Sequence, residues 1–205
     1  METVRLFVAI DLDDHARQAI AAEQTRLKQA MMGSGRVLLR WVRPEQLHVT
    51  LVFLGSVSAV GRAPGDAAAS GASAVVEALG QDVDAARFRI VFAGLGLFPP
   101  SGAPAVLWLG VTTGRREVAM VRRQIADRLA RIGPARADAR ARPFHPHLTL
   151  ARWRTAKPSD RERVLAADRG AEVAGVDVSA VTLYESRLSS AGPSYTALAT
   201  AKLRV

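Results

Sequence analysis

Cysteine is absent from the chain. That excludes a disulfide framework, a Cys-based zinc site and a thiol nucleophile. A long apolar N-terminal run is also missing. Leu6 to Ile10 is followed at once by Asp11, Asp13 and Asp14, which suits neither a signal peptide nor a membrane span, so a soluble cytoplasmic protein without a membrane partner is expected. Aromatic residues are scarce at 5%, too few for a broad base-stacking platform. Acidic residues are outnumbered, 19 against 28 Lys and Arg, for a formal net charge of +9. Such an excess favours a polyanion as partner, nucleic acid first, although an Arg- and Ala-rich composition alone produces the same balance. With 205 residues, 49% of them hydrophobic, the chain can build a full core, and one domain, at most two-lobed, is expected, with a monomer as the default.

What is present is a short motif that occurs twice, His48-Val49-Thr50-Leu51 and His147-Leu148-Thr149-Leu150, each inside an apolar run that reads as a strand. Side chains alternate between the faces of a strand, so His48 shares a face with Thr50 and His147 with Thr149, while Leu51 and Leu150 point the other way. Two such strands facing one another would line a pocket with two titratable imidazoles and two neutral hydrogen-bond donors. Those are the groups that splitting a phosphodiester by acid–base chemistry requires. A lone His on a strand is more often a core or surface residue; the duplication is what favours catalysis here.

The elements around the motifs repeat in order. In the first half, Val4 to Asp11 reads as a central strand and Asp13 or Asp14 as the cap of a helix ended by Gly33 and Gly35. That helix places Ile20, Leu27 and Met31 near one face, with Arg17, Glu23, Gln24, Arg26 and Lys28 on the remainder. A short strand Leu38 to Val42 precedes the motif strand Leu47 to Leu54, which Gly55 closes; a Gly, Ala and Ser-rich loop spans Ser56 to Ser73. A helix through Ala74 to Leu79 and a strand Arg87 to Phe98 complete the half. The second half has a strand Ala105 to Val111 and a helix with Val118, Val121, Ile125, Leu129 and Ile132 on one face, stopped by Gly133 and Pro134. A basic loop through Arg136, Arg140 and Arg142 leads to the motif strand His147 to Arg152. A short helix capped by Ser159, one strand Val176 to Leu188 and a closing strand Tyr195 to Leu203 follow. The fold class expected is α+β: a single bilobal domain over 1–205, with a first repeat at 1–98, a second at 104–190 and a closing strand at 195–203. The repeat implies two pseudo-symmetric lobes of antiparallel sheet plus helices around a central cleft.

The stretches Arg5 to Ile10, Trp41 to Gly55 (Trp-Val-Arg-Pro-Glu-Gln-Leu-His-Val-Thr-Leu-Val-Phe-Leu-Gly), Phe144 to Arg152 (Phe-His-Pro-His-Leu-Thr-Leu-Ala-Arg) and Ser186 to Tyr195 together resemble the RNA 2',3'-cyclic phosphodiesterases. These form the 2'-5' RNA ligase family of the two-histidine phosphoesterase superfamily. The resemblance implies the two-histidine phosphoesterase fold and metal-independent hydrolysis of a 2',3'-cyclic phosphate end to a 2'-phosphate, with no cofactor. The partner implied is an RNA or nucleotide with such an end, tRNA fragments among them. By the same resemblance His48 corresponds to the proton donor to the leaving 3' oxygen and His147 to the proton acceptor that activates water. The two motifs are symmetric and do not themselves assign those roles. Thr50 and Thr149 would bind the non-bridging oxygens. Related activities remain open: 2'-5' RNA ligation, cleavage of a small cyclic nucleotide, or a non-catalytic RNA-binding module that has kept the cleft.

Other residues divide as follows. Arg152 resembles a position used for the substrate phosphate and suits that group, but strict alternation puts it on the face opposite His147, so a bulge or strand end must turn it inwards. Phe53 has the same parity and reads as core. His145 and His147 are two apart, yet Pro146 intervenes and no carboxylate cluster flanks them, so no metal site is expected. His145 then shapes the strand entry, and His15 is a surface group. Trp41, Arg43, Arg136, Arg140, Arg142 and Trp153 are candidates for stacking and charge along single-stranded RNA.

Overall fold

The computed structural model describes residues 3–32, 38–59, 71–132, 144–190 and 192–204. Its strands are β1 (Thr3–Asp11), β2 (Leu38–Trp41), β3 (His48–Ser58), β4 (Val83–Ala86), β5 (Phe88–Phe98), β6 (Val106–Thr113), β7 (His147–Thr155), β8 (Glu172–Val178), β9 (Ala180–Ser189) and β10 (Gly192–Arg204). The helices are α1 (Asp14–Met32), α2 (Ala72–Leu79), α3 (Arg115–Arg131) and α4 (Ser159–Ala166), with a 3-10 turn at Pro44–Gln46. They build two five-stranded sheets, ordered β3-β1-β9-β10-β4 and β2-β7-β6-β5-β8. Every pairing is antiparallel except the short one between β4 and β10. The fold is thus the bilobal α+β class that the repeat suggested.

β1 is central because Leu6 to Ile10 is apolar on both faces, and all five residues are buried. Asp13 caps α1 by accepting the Ala16 N–H at 2.7 Å. One continuous buried cluster joins Leu6, Val49 and Leu51 of the first sheet to Phe92, Leu107 and Leu148 of the second, with Ile20 and Ile125 from the helices.

The two halves of the sequence are not the two sheets. β2 and β5 from the first half lie in the second sheet, and β9 and β10 from the end of the chain complete the first. The helices cross as well: α1 leaves the first sheet to pack on β8 of the second, and α3 leaves the second to pack on β3 and β4 of the first. The strand orders β3-β1-β9-β10 and β7-β6-β5-β8 nonetheless correspond position by position, which puts the two motif strands in equivalent places.

Several local expectations change. β3 does not stop at Gly55: that residue adopts φ +75° inside the strand, a conformation glycine reaches without a Cβ penalty, and pairing with β1 continues to Ser58. The single strand expected over Val176 to Leu188 is two strands in different sheets, β8 and β9, parted at Ser179, whose carbonyl accepts the Leu203 N–H at 2.8 Å. β4 was not expected, because Val-Asp-Ala-Ala carries little strand signal and is held by its neighbour β10. Ser159 is the first residue of α4 rather than its cap; the Asp160 carboxylate instead accepts the Lys157 N–H at 2.8 Å. Gly33, Gly35, Gly133, Pro134, Arg136, Arg140, Arg142 and most of the loop after Ser58 lie outside the described residues.

Candidate active site

β3 is the edge strand of the first sheet and β7 the last but one of the second, and the two come into contact where the lobes meet. Their exposed faces line a cleft of about 510 Å³ that contains His48, Thr50, His147, Thr149 and Arg152. The five side chains singled out in the sequence therefore share one cavity.

Both imidazoles are held in the same way. His48 Nδ1 lies 2.8 Å from the Gln46 carbonyl and His147 Nδ1 lies 2.7 Å from the His145 carbonyl. A carbonyl oxygen only accepts, so each Nδ1 carries the hydrogen and each Nε2 is left for chemistry. His48 Nε2 is 3.0 Å from the Thr50 hydroxyl, the neighbour that strand alternation supplies. Aromatic rings fix both planes. His48 stacks on Phe7 at 4.9 Å and meets the edge of Tyr195 at 5.5 Å. His147 packs edgewise against Phe98 at 5.1 Å and beside Trp108 at 5.8 Å. Gly96 makes room for that indole, since any Cβ there would collide with the Trp108 ring.

Burial pushes both histidines below the ordinary imidazole value. For His48 the Gln46 carbonyl and the Asp11 charge oppose the shift, while Arg152 and His147 add to it. For His147 the His145 carbonyl opposes it, and His145 and Arg152 add to it. Asp11 sits directly opposite His48 in the β1–β3 register and accepts the hydroxyls of Thr182 at 2.7 Å and Tyr184 at 2.9 Å. Burial and that carboxylate push the Tyr184 phenol up to about 12, so Tyr184 serves Asp11 as a neutral donor.

The parity problem of Arg152 is resolved by a β-bulge. In the β6–β7 register Trp108 pairs with Thr149 and Leu107 with Ala151, leaving Leu150 without a partner. Leu150 and Ala151 are both buried, and alternation restarts with Arg152 on the cleft face. β3 has the same device at the equivalent position: Ala9 pairs with Thr50 and Val8 with Val52, Leu51 is the extra residue, and Leu51 and Val52 are both buried. Phe53 is consequently not core. It is 48% exposed in the cleft with the Arg5 guanidinium 5.5 Å from its ring centre.

Each bulge is held by a helix from the opposite half of the chain. Buried Gln24 of α1 donates from Nε2 to the Leu150 carbonyl at 3.1 Å and to Val42 at 2.9 Å. Arg122 of α3 donates from Nε to the Leu51 carbonyl at 3.2 Å, with its guanidinium 4.5 Å over Phe144. Gln24 thus belongs to the apolar face of α1 rather than to its polar remainder. Its spacing from Ile20 and Leu27, four and three residues, was the available signal.

Among the other candidates, Trp41 and Arg43 line the cleft, although Arg43 is paired with Glu45 at 3.1 Å. Trp153 packs against the core, His15 is exposed on α1, and His145 leans on Trp108 at 5.4 Å. Among the described residues no three His, Cys, Asp or Glu side chains converge as metal ligands, and no helix is long and apolar enough to cross a membrane.

The chain matches the model of a family described as the 2'-5' RNA ligase superfamily over residues 12–189. It is 34% identical over 175 residues to an RNA 2',3'-cyclic phosphodiesterase of Aeropyrum pernix, covering 84% of this chain and 90% of that one. To the protein of the same name from Archaeoglobus fulgidus it is 31% identical over 194 residues, covering 94% and 96%. Among solved structures, E. coli LigT complexed with 3'-AMP superimposes with a TM-score of 0.71 at 26% identity, covering all of both chains. TT0787 of Thermus thermophilus superimposes with a TM-score of 0.69 at 27% identity, covering 98% of each.

Proposed function

Because the chain belongs to the 2'-5' RNA ligase superfamily, we propose that it hydrolyses RNA 2',3'-cyclic phosphate ends to 2'-phosphates, using His48 and His147 as acid and base and no metal. The observation that carries this reading is the matched pair of imidazoles. Each has its Nδ1 hydrogen tied to a backbone carbonyl and its ring in one cleft, from strands on facing sheets. Ring opening needs a proton removed on one side of phosphorus and supplied on the other, and two such imidazoles provide both.

In the proposed step His147 Nε2 takes a proton from water as the water oxygen bonds to phosphorus. The bond from phosphorus to O3' breaks, and His48 Nε2–H gives its proton to that oxygen. The products are a 2'-phosphate and a 3'-hydroxyl, with the proton moved from His48 to His147 and returned through solvent. Thr50 links protonation to binding. When His48 is neutral the Thr50 hydroxyl donates to Nε2; when His48 is charged Nε2 no longer accepts, so the Thr50 hydroxyl hydrogen is free for a non-bridging oxygen while Nε2–H turns from Thr50 to O3' as substrate binds. Thr149 offers the matching donor, and Arg152 adds charge where the transition state becomes more negative.

The test is hydrolysis of a short RNA ending in 2',3'-cyclic phosphate, in excess chelator, with the product phosphate located by phosphorus NMR. A 2'-phosphate formed at an undiminished rate supports the reading. A 3'-phosphate product would reverse the leaving oxygen, and a rate abolished by chelator would remove the metal-free mechanism. Binding of the same RNA without any turnover would favour a binding module.

The lowered imidazoles set a pH dependence. The profile of kcat/KM reports the free enzyme, in which the base must be neutral and the acid protonated. With both groups depressed, its maximum should fall below pH ~6.5, the ordinary histidine value. A bound phosphate anion raises both proton affinities, so the maximum of kcat should lie at higher pH than that of kcat/KM. Coincident maxima above neutrality would contradict this.

A further inference from the structure

Beside Arg152 the cleft holds a second positive charge that the single reacting phosphate does not require. Arg40 of β2 and Arg152 of β7 are directly opposite in register, so their side chains leave the same face of the second sheet, and both line the cleft. Like charges in that position destabilise a sheet. The other two arginines that line the cleft are engaged elsewhere: Arg43 is paired with Glu45 at 3.1 Å, and the Arg5 guanidinium lies 5.5 Å from the Phe53 ring centre. Among the described residues Arg40 and Arg152 have no carboxylate partner.

The two heads have different neighbours. Arg152 is close enough to both histidines to lower their proton affinity. Arg40 reaches across to the first sheet, where its Nη2 occupies the space that a Cβ on Gly192 would need. Gly192 precedes Tyr195 by three residues on β10, and Tyr195 is the ring against His48. At a rise of about 3.4 Å per residue the backbone positions of Gly192 and Tyr195 are about 10 Å apart, so the Arg40 head leans towards a part of β10 other than the one that carries the ring against His48.

We propose that Arg40 binds a second phosphate, the one on the 5' side of the nucleoside that carries the cyclic phosphate, with Arg152 between the two anions. A 2',3'-cyclic phosphate ends its chain, so the 5' side is the only one on which a neighbouring phosphate exists. The substrate class is then a cyclic-phosphate end that bears a 5'-phosphoryl group, and a bare nucleoside cyclic phosphate is a poor substitute. This rests on the function proposed above. The second phosphate has two sources, the internucleotide diester of an RNA or the 5'-phosphate of a free nucleotide, which share the same recognition chemistry.

The experiment compares three substrates: adenosine 2',3'-cyclic phosphate, its 5'-phosphorylated form, and a dinucleotide ending in the cyclic phosphate. Each is measured with the unaltered protein, Arg40→Gln and Arg40→Lys. A charge-assisted contact predicts that the second phosphate raises kcat/KM about tenfold or more, chiefly through KM. Arg40→Gln should bring that preference near one, and Arg40→Lys should restore part of it. A rise confined to the dinucleotide identifies an RNA chain as the source; an equal rise with the 5'-phosphate identifies the phosphoryl group itself. The same loss on all three substrates in Arg40→Gln, or a preference that survives it, would overturn the assignment. Calorimetric binding of the corresponding 2'-phosphates reads Arg40 without turnover. An Arg40-dependent preference there, with no cleavage of any substrate, would uphold this site and reject only the hydrolysis.

Discussion

Replacing His48 or His147 by alanine is expected to lower kcat on a cyclic phosphate end by about 10²–10⁴-fold, the range for one positioned acid or base. The double variant should lose less than the product of the two, because in the proposed step both imidazoles act on one transition state and their contributions are coupled. The residual pH profiles separate the roles. If His147 is the base, His147→Ala loses the acid limb, since no group must then be deprotonated. If His48 is the acid, His48→Ala loses the alkaline limb. Exchanged limbs would exchange the assignments, and undiminished activity in both single variants would remove the paired mechanism. Circular dichroism of the variants checks that the rings around each histidine, Phe7 and Tyr195 on one side and Phe98 and Trp108 on the other, have not collapsed into the space left.

The second large effect is expected at Arg152. Its guanidinium is in the cleft and lies near both imidazoles. A charged hydrogen bond of about 1.5–3 kcal/mol corresponds to a loss of about 10- to 150-fold in kcat/KM for Arg152→Ala. Arg152→Lys should recover only part, because an ammonium keeps the charge and loses the planar fork. Removing Arg152 should also let both histidines rise towards their ordinary value, moving the kcat/KM maximum to higher pH. Gln24→Met separates the residue from its support. It leaves Arg152 in place and removes the two hydrogen bonds to Leu150 and Val42, so it should lower stability by about 1–3 kcal/mol and raise KM. Arg152→Ala, on an exposed side chain, should leave the melting temperature nearly unchanged. A Gln24→Met protein with lower stability and unaltered KM would show that the bulge keeps its shape without the glutamine.

Both experiments depend on residues that differ in how readable they are from the sequence. His48, Thr50, His147 and Thr149 are legible because a strand has a period of two and the motif occurs twice. β1, α1, β5 and α3 are legible for the same kind of reason, since each carries a clear period or a strong end signal. Ser159 and the Val176 to Leu188 run misled because a cap and a strand break are decided by which partner meets the backbone. Ser179 ends one sheet and begins the other with no Gly or Pro to mark it.

The α+β class, the two motif strands and the pairing of an imidazole with a hydroxyl on one face of each were already readable in the sequence, because those follow from local periodicity and residue type. Only the tertiary structure decided that helices and strands exchange between the lobes, that Leu51 and Leu150 bulge, and that Phe53 and Arg152 therefore turn into the cleft. It also decided that Arg40 stands opposite Arg152. An apolar stripe states that a face must be covered without naming what covers it, and a bulge is a mismatch between two strands that neither strand carries alone. Register and partner choice are properties of pairs of segments far apart in the chain, which is why they appear only when the chain is folded.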